Sequence, residues 1–194
     1  NKHPSYDVVQ KWLGHVFDQV NIEKRIKNKE KNIISLKRQY RMNEKICKLI
    51  NKYFYDNTLI TDESVKKSQK KYPKILNDNL IVVDTASANP FCVYQPYGYS
   101  RTNTLHACAV RNLCIYLQEN KIIEDVTSVG VSTPYKAQQV LLGDLMKEWS
   151  LNDVVTGTVH RYQGDQKDIM IFDIPDSEGT EPSKLINSAS KFED

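Results

Sequence analysis

Apolar positions along this chain recur at two different periods, and the switches between them lay out its elements. Over residues 6–28, Val8, Val9, Trp12, Leu13, Val16, Phe17 and Val20 are spaced among charges, which predicts one helix with an apolar stripe. Residues 32–36 form a short apolar run and predict a strand. Asn43 suits the N-cap of a helix that carries Ile46, Leu49, Ile50, Tyr53 and Phe54 on one face. The pattern dissolves over residues 56–79, and residues 80–83 then predict a second strand. Pro90, Pro96 and Gly98 punctuate an aromatic loop over residues 91–99. A helix follows with Leu105, Cys108, Ala109, Leu113, Tyr116 and Leu117 on its apolar side. Strands are expected at 128–132, 154–159 and 169–174, with a helix over 136–149 between the first two. Residues 176–194 are polar, with little to bury, and read as a loop or frayed end. Apolar strands alternating with helices predict βαβ units around a parallel sheet.

Composition changes this picture little. A chain of 194 residues with 40% hydrophobic and 26% charged residues suits a soluble α/β domain with a sizeable core. No run of apolar residues is long enough to span a membrane, so no membrane partner is expected. The four cysteines, Cys47, Cys92, Cys108 and Cys114, show no zinc-type spacing. They read as buried thiols of a reducing compartment, which points to the cytoplasm. Charge is uneven: residues 1–74 hold 18 Lys/Arg against 8 Asp/Glu, and the remainder holds 9 against 16. This permits a basic face for a polyanion and is equally what a lysine-rich surface gives.

Candidate chemistry sits in three blocks. Residues 36–46 read L-K-R-Q-Y-R-M-N-E-K-I, residues 129–138 read V-G-V-S-T-P-Y-K-A-Q, and residues 154–172 read V-V-T-G-T-V-H-R-Y-Q-G-D-Q-K-D-I-M-I-F. In the first, a guanidinium fork matches phosphate oxygens, a ring can lie on a base, and an amide can grip a polar edge. In the second, a hydroxyl at a strand-to-helix turn suits a phosphate, although Ser/Thr-Pro also starts ordinary helices. Each block follows a predicted strand, and ligands of parallel sheets gather at the carboxyl ends of strands. One continuous functional edge is therefore expected.

In this order and at this separation, the blocks resemble the second motor domain of superfamily 1 helicases. The match is to the 1B branch, with Q-Y-R-M, T-P-Y-x-x-Q and T-V-D/H-x-F-Q-G-x-E-x-D segments, and it covers residues 33–174. The resemblance implies a RecA-like, P-loop NTPase-like α/β fold, a parallel sheet flanked by helices. It implies that Gln39, Tyr40 and Arg41 face a nucleotide, Tyr40 near the base and Arg41 near the γ-phosphate as the catalytic charge. Thr133, Pro134, Tyr135 and Gln138 would hold a single strand of DNA or RNA. Thr158, His160 and Gln163 would contact that strand too, while Gly164 and Gln166 would lie toward the nucleotide. Gly164 suits a positive φ or a close backbone approach. Gln166 stands where the family shows Glu, and an amide can bond a ribose hydroxyl without acting as a carboxylate. His160 replaces the commoner Asp, a variation that the resemblance ties to bacterial members. Ser100, Asn103 and Ala107 resemble the S-x-x-N-x-x-x-A helix start, with His106 where Glu is usual; Asn103 there reads as a cap or packing residue. The run Lys66–Lys74 has two readings, a track for a nucleic-acid backbone with Tyr72 stacking on a base, or a solvated insertion.

No G-x-x-x-x-G-K-S/T occurs in the 194 residues, nor an acidic pair after an apolar strand to hold Mg²⁺. In the family both belong to the first motor domain. The expected organisation is a helical lead-in over 1–30, a second motor domain over 31–175 with a Lys-rich insertion at 56–79, and a polar segment over 176–194 that stops before the last helicase motif. The expected partners are single-stranded DNA or RNA and the first RecA-like domain of the same chain. ATP and Mg²⁺ would be bound mainly by that first domain, so this piece alone would need no cofactor and hydrolyse no ATP. The alternative is a non-catalytic nucleic-acid-binding module derived from a helicase.

Overall fold

The two helices Glu44–Phe54 and Thr104–Glu119 each begin where an asparagine oxygen takes up a loose backbone N–H. The structure, a computed structural model, describes residues 20–67, 78–94, 100–121 and 129–177. It divides into two compact units, residues 1–70 and 71–194, a boundary inside the expected insertion.

The first unit contains α1 (Ile22–Lys27), β1 (Arg38–Gln39), α2 (Glu44–Phe54), β2 (Ile60–Thr61) and α3 (Glu63–Lys67). Asn43 caps α2 as expected, its side chain accepting from Lys45 N at 2.8 Å. β1 and β2 pair in parallel, Arg38 beside Ile60 and Gln39 beside Thr61. Asn51, buried on α2, accepts from Leu59 N and donates to Leu59 O, both at 2.9 Å, so it fastens the helix to the entry of β2. Asp62 opens α3 by accepting from both the backbone and the hydroxyl of Ser64. Those bonds and Arg38, 3.1 Å away, hold its carboxyl down to about 2.

Two expectations change here. Of the helix expected at 6–28, residues 6–19 lie outside the described residues, and the described part is helical only over α1. The strand expected at 32–36 is absent, and Ile34 and Leu36 are 86% and 88% exposed. Pairing decides the shift. The neighbouring segment bonds Lys37 O and Gln39 O through Ile60 N and Asp62 N, so the ladder forms later in the chain. Of the lysine run, residues 68–74 lie outside the described residues.

The second unit holds a 3₁₀ turn (Ala86–Ala88), β3 (Cys92–Tyr94), β4 (Arg101–Asn103), α4 (Thr104–Glu119), β5 (Val129–Thr133), α5 (Lys136–Glu148), β6 (Val155–Thr158), a second 3₁₀ turn (Val159–Tyr162) and β7 (Ile169–Phe172). β3 and β4 pair antiparallel, while β6, β5 and β7 form a parallel sheet in that order. Central β5 is buried along its whole length. Val129 and Val131 pack with Ala107, Val110 and Cys114 of α4 and with Leu142 and Met146 of α5. On the opposite face a Cβ at Gly130 would come within 2.9–3.0 Å of Lys167, Met170 and Tyr162. This parallel sheet with helices packed on it is the RecA-like α/β arrangement expected.

α4 turns a different side inward from the one predicted. Its buried residues are Ala107, Val110, Cys114 and Leu117, whereas Tyr116 is exposed. The helix is apolar around most of its circumference, so periodicity marks no single face. Residues 80–83 form no strand, with Val82 86% exposed, because they find no ladder partner among the described residues. All four cysteines are free thiols, and burial pushes Cys114 up to about 12. No helix among the described residues is long and apolar enough to cross a membrane.

Asn51 is the hub of the first unit, so Asn51→Ala should loosen α2 and β2 without touching the second unit. The loss of two part-buried hydrogen bonds predicts about 2 kcal/mol. Amide exchange in α2, followed by mass spectrometry, should accelerate roughly 30-fold at that energy, while α5 stays unchanged. Wild-type exchange in α2 would remove Asn51 from that role.

Candidate nucleotide and nucleic-acid interface

In the first unit the turn after β1 is built by one amide. Gln39 Oε1 accepts from Arg41 N at 2.9 Å and Met42 N at 2.8 Å. Its Nε2 donates to Met42 O at 2.7 Å and to Thr61 Oγ1 at 2.8 Å. A glutamine side chain has two donors and two acceptor positions, and all are used. Gln39, expected to face a nucleotide, braces the turn. That brace displays Tyr40, 66% exposed, and Arg41, also exposed, just ahead of α2. The expected nucleotide-facing pair is thus presented outward by a residue that does not itself face outward.

In the second unit, parallel register brings two of the blocks together. Thr133, the last residue of β5, pairs with Thr158, the last of β6. On the other side Asp173 N donates to Ser132 O at 2.8 Å, so Asp173 stands just beyond β7 at the same carboxyl edge. Side chains of the T-P-Y-x-x-Q segment turn inward, however. Thr133 and Gln138 are fully buried and Tyr135 is 6% exposed. Thr133 Oγ1 is buried without a hydrogen-bond partner. These three side chains, expected to hold a strand, point into the protein at this edge. What the turn shows to solvent is Lys136 and part of Pro134.

The inward side chains have structural partners. Tyr135 OH donates to Asp176 Oδ2 at 2.9 Å, and Asp176 also pairs with Arg101. The buried Arg101 guanidinium lies 4.5 Å from the ring centre of the exposed Tyr94 and 5.6 Å from that of buried Tyr135, two cation–π contacts. Asp176, expected to open a frayed end, is anchored in this cluster. Ser100 Oγ accepts from Ala137 N at 2.8 Å and so caps α5 from a distant segment. Asn103 caps α4, accepting from His106 N at 3.1 Å, and also donates to Pro175 O.

Gln138 joins three elements. Its Oε1 accepts from Asn103 N at 2.8 Å, and its Nε2 donates to Asn103 O at 3.1 Å and to Asp173 Oδ2 at 2.7 Å. Asp173 Oδ1 also meets His106 Nδ1 at 3.2 Å. Burial pushes the Asp173 carboxyl above its ordinary value, against the opposing pull of Gln138 and His106.

The third block turns its side chains the other way, toward solvent. His160, Gln163, Gly164 and Gln166 are exposed on a loop leaving β6, and Thr158 is half-buried at its start. Gly164 has φ +88°, with no atom within 4 Å of where a Cβ would stand, so conformation and not crowding requires glycine. The side chain of Asp165 accepts from Gln166 N at 2.8 Å. Tyr162 stands where the family pattern has Phe, and its hydroxyl meets Val131 N and Val131 O, each at 3.1 Å, and Val155 O. The loop is thus pinned to the middle of β5. Sequence reasoning passed over two cations at this edge: Lys136, first residue of α5, and Arg161, which lies over Gly157 in the loop. A lysine in the first turn of a helix opposes the helix dipole, and that opposition was the available signal. Among the described residues no cluster of His, Cys, Asp or Glu could hold a metal ion.

A family model described as AAA domain matches residues 17–188. The chain is 25% identical over 173 residues to the bovine (Bos taurus) DNA replication ATP-dependent helicase/nuclease DNA2, with 76% of this chain and 16% of that protein covered. It is 30% identical over 153 residues to the DNA polymerase alpha-associated DNA helicase A of Schizosaccharomyces pombe, covering 70% and 22%. It is 31% identical over 142 residues to an uncharacterized ATP-dependent helicase of Methanocaldococcus jannaschii, covering 69% and 20%. The chain thus spans between 16% and 22% of the length of these relatives. It belongs to this AAA domain family, as a helicase domain of the superfamily 1B kind.

Because Gln138 supplies a hydrogen bond to a buried carboxylate, Gln138→Met should destabilise the second unit by an amount that depends on pH. Without that donor the Asp173 carboxyl rises further. A folded-state value raised above the unfolded one favours the fold at low pH and loses that advantage as pH rises through it. The deficit should therefore grow from pH 4.5 to pH 7.5, reaching about 1–3 kcal/mol more at the upper end. Urea unfolding followed by Trp149 fluorescence reads this directly. A deficit equal at both pH values would show that Gln138 holds only Asn103.

Proposed function

We propose that this chain is the second, C-terminal motor domain of an ATP-dependent superfamily 1 helicase or translocase acting on single-stranded DNA or RNA. The observation that carries the reading is the β5–β6 register. It sets Thr133 beside Thr158, so the T-P-Y and T-V-H-R-Y-Q-G segments leave the sheet side by side at its carboxyl edge. A strand laid along that edge would meet Lys136 at the positive end of α5, Arg161, His160 and Gln163. Thr133, Tyr135 and Gln138 would act beneath that surface, setting the turn's shape.

The nucleotide role rests on the turn that Gln39 braces. An exposed ring followed by an exposed guanidinium suits a base and a phosphoryl group bound mainly by another domain. The 194 residues contain no phosphate-cradling glycine loop, so the β- and γ-phosphates and Mg²⁺ would be held elsewhere in the full protein. Arg41 would approach from outside and stabilise charge that spreads over the transferring oxygens. Gly164 and Gln166 would lie between nucleotide and strand, on a loop tied to β5 by Tyr162.

Strand binding by the purified chain, measured by fluorescence anisotropy with labelled dT and rU oligonucleotides, tests the interface. Lys136→Ala and Arg161→Ala should each weaken binding uniformly across sequences and lower the salt slope of log K by about 1. Unchanged slopes in both variants would place the strand elsewhere. In the full-length protein, Arg41→Ala should lower kcat on the order of 100-fold with little change in KM, because its partner charge develops during transfer. A kcat at the wild-type level would take Arg41 out of the site and favour a binding module without catalysis.

A further inference from the structure

Four residues of the second unit close a ring of hydrogen bonds through side chains and two backbone N–H groups. His106 Nδ1 meets Asp173 Oδ1 at 3.2 Å, and Gln138 Nε2 donates to Asp173 Oδ2 at 2.7 Å. Asn103 N donates to Gln138 Oε1 at 2.8 Å, and His106 N donates to Asn103 Oδ1 at 3.1 Å, which returns the ring to its start. Gln138 and Asn103 are fully buried, and Asp173 is 6% exposed. The side chain of His106, 14% exposed, is the member that solvent reaches most readily. It lines an open cleft of about 430 Å³ with Asp84, Thr85, Asn89, Pro90 and Asp176.

Building on the strand-binding reading above, we propose that His106 is a positioning residue for the strand-contacting turn, acting through Asp173 and Gln138 on the first turn of α5. Gln138 lies two residues beyond Lys136, so whatever fixes Gln138 fixes where Lys136 and the T-P-Y turn stand. Asp173 decides how firmly Gln138 is held, and His106 decides what faces Asp173. With Asp173 ionised, Nδ1 carries a proton toward it and Nε2 accepts from Thr85 Oγ1, 2.8 Å away. The other charged groups toward this ring are Asp84 and Asp176 on the cleft wall, the latter held by Arg101. Neither places a positive charge where His106 stands. A carboxylate at position 106, the residue usual in the family pattern, would face the buried Asp173 with like charge. The histidine and Asp173 therefore form a matched pair at this edge.

The test uses the purified chain, a labelled dT oligonucleotide and a labelled rU oligonucleotide, with circular dichroism as the control for folding. His106→Glu should weaken strand binding about tenfold at neutral pH, and His106→Glu with Asp173→Asn should restore it. His106→Gln keeps a donor toward Asp173 and should bind like wild type, while His106→Ala should lose affinity. Should His106→Glu not fold, the Gln and Ala variants decide the matter. Independently of any strand, the Gln138 side-chain amide signal in ¹⁵N NMR should shift and lose protection from exchange in His106→Ala, and should keep its place in His106→Gln. Wild-type affinity in folded His106→Glu and His106→Ala, or a Gln138 signal indifferent to His106, overturns the proposal. No binding by the wild-type chain at any pH overturns the strand-binding reading, and the positioning role with it, even where Gln138 follows His106.

Discussion

The second unit depends on a carboxylate that water does not solvate. Asp173 is 6% exposed at the end of β7, and burying an ionised group is costly unless donors replace its hydration. Here the donors come from elsewhere in the chain: Gln138 from the first turn of α5 and His106 from the first turn of α4. Meeting that requirement therefore fixes the starts of two helices relative to the end of one strand. The hydrophobic cluster of Val129, Val131, Leu142 and Met146 holds the helices on the sheet without dictating their register along it. The polar ring supplies that direction, and the carboxyl edge inherits its geometry.

An amide does comparable work in the first unit, where Gln39 uses both ends to shape the turn between β1 and α2. Glutamine suits the task because it offers donors and acceptors at one position without bringing a charge. The consequence for function is similar in the two units. Gln39 and Gln138 lie within or beside the motif residues, yet each is spent internally. The residues that meet solvent are their neighbours, Tyr40 and Arg41 in one case and Lys136 in the other. A motif of this sort records the scaffold of a surface as well as the residues that the surface displays.

That distinction explains what was legible in the sequence. β5, β6, β7 and α5 were readable because each combines an apolar run with a clear polar boundary, and the cap at Asn43 was readable from local chemistry alone. The blocks themselves and their place at strand ends were readable too. What escaped was long-range. No local pattern tells that Gln138 meets Asn103, 35 residues away, or that Asp176 joins Arg101, 75 residues away. β1 was misplaced because its position is set by the two residues that β2 can reach. The buried face of α4 was misread because the helix is apolar nearly all round, so its packing against α5 and β5 chose the face.

The same logic bears on how the loop after β6 could transmit a change. A loop hung only at its ends would move without consequence for the sheet. This one is fastened in the middle, since the Tyr162 hydroxyl sits among Val131 N, Val131 O and Val155 O. Val131 lies two residues before Thr133, and Thr133 begins the turn that carries Lys136. Just past the anchor, Gly164 adopts φ +88°, a conformation that most side chains resist, so the chain reverses there over a short and specific arc. A displacement at Gln166 must therefore either rotate about Gly164 or pull on Tyr162, and pulling on Tyr162 pulls on β5. Since β5 also neighbours Asp173 through Ser132 O, the loop and the polar ring grip one strand from opposite sides. The edge that presents Lys136 and Arg161 is thus held by two separate sets of hydrogen bonds that share β5, which is what a surface needs if it is to respond to one side without collapsing on the other.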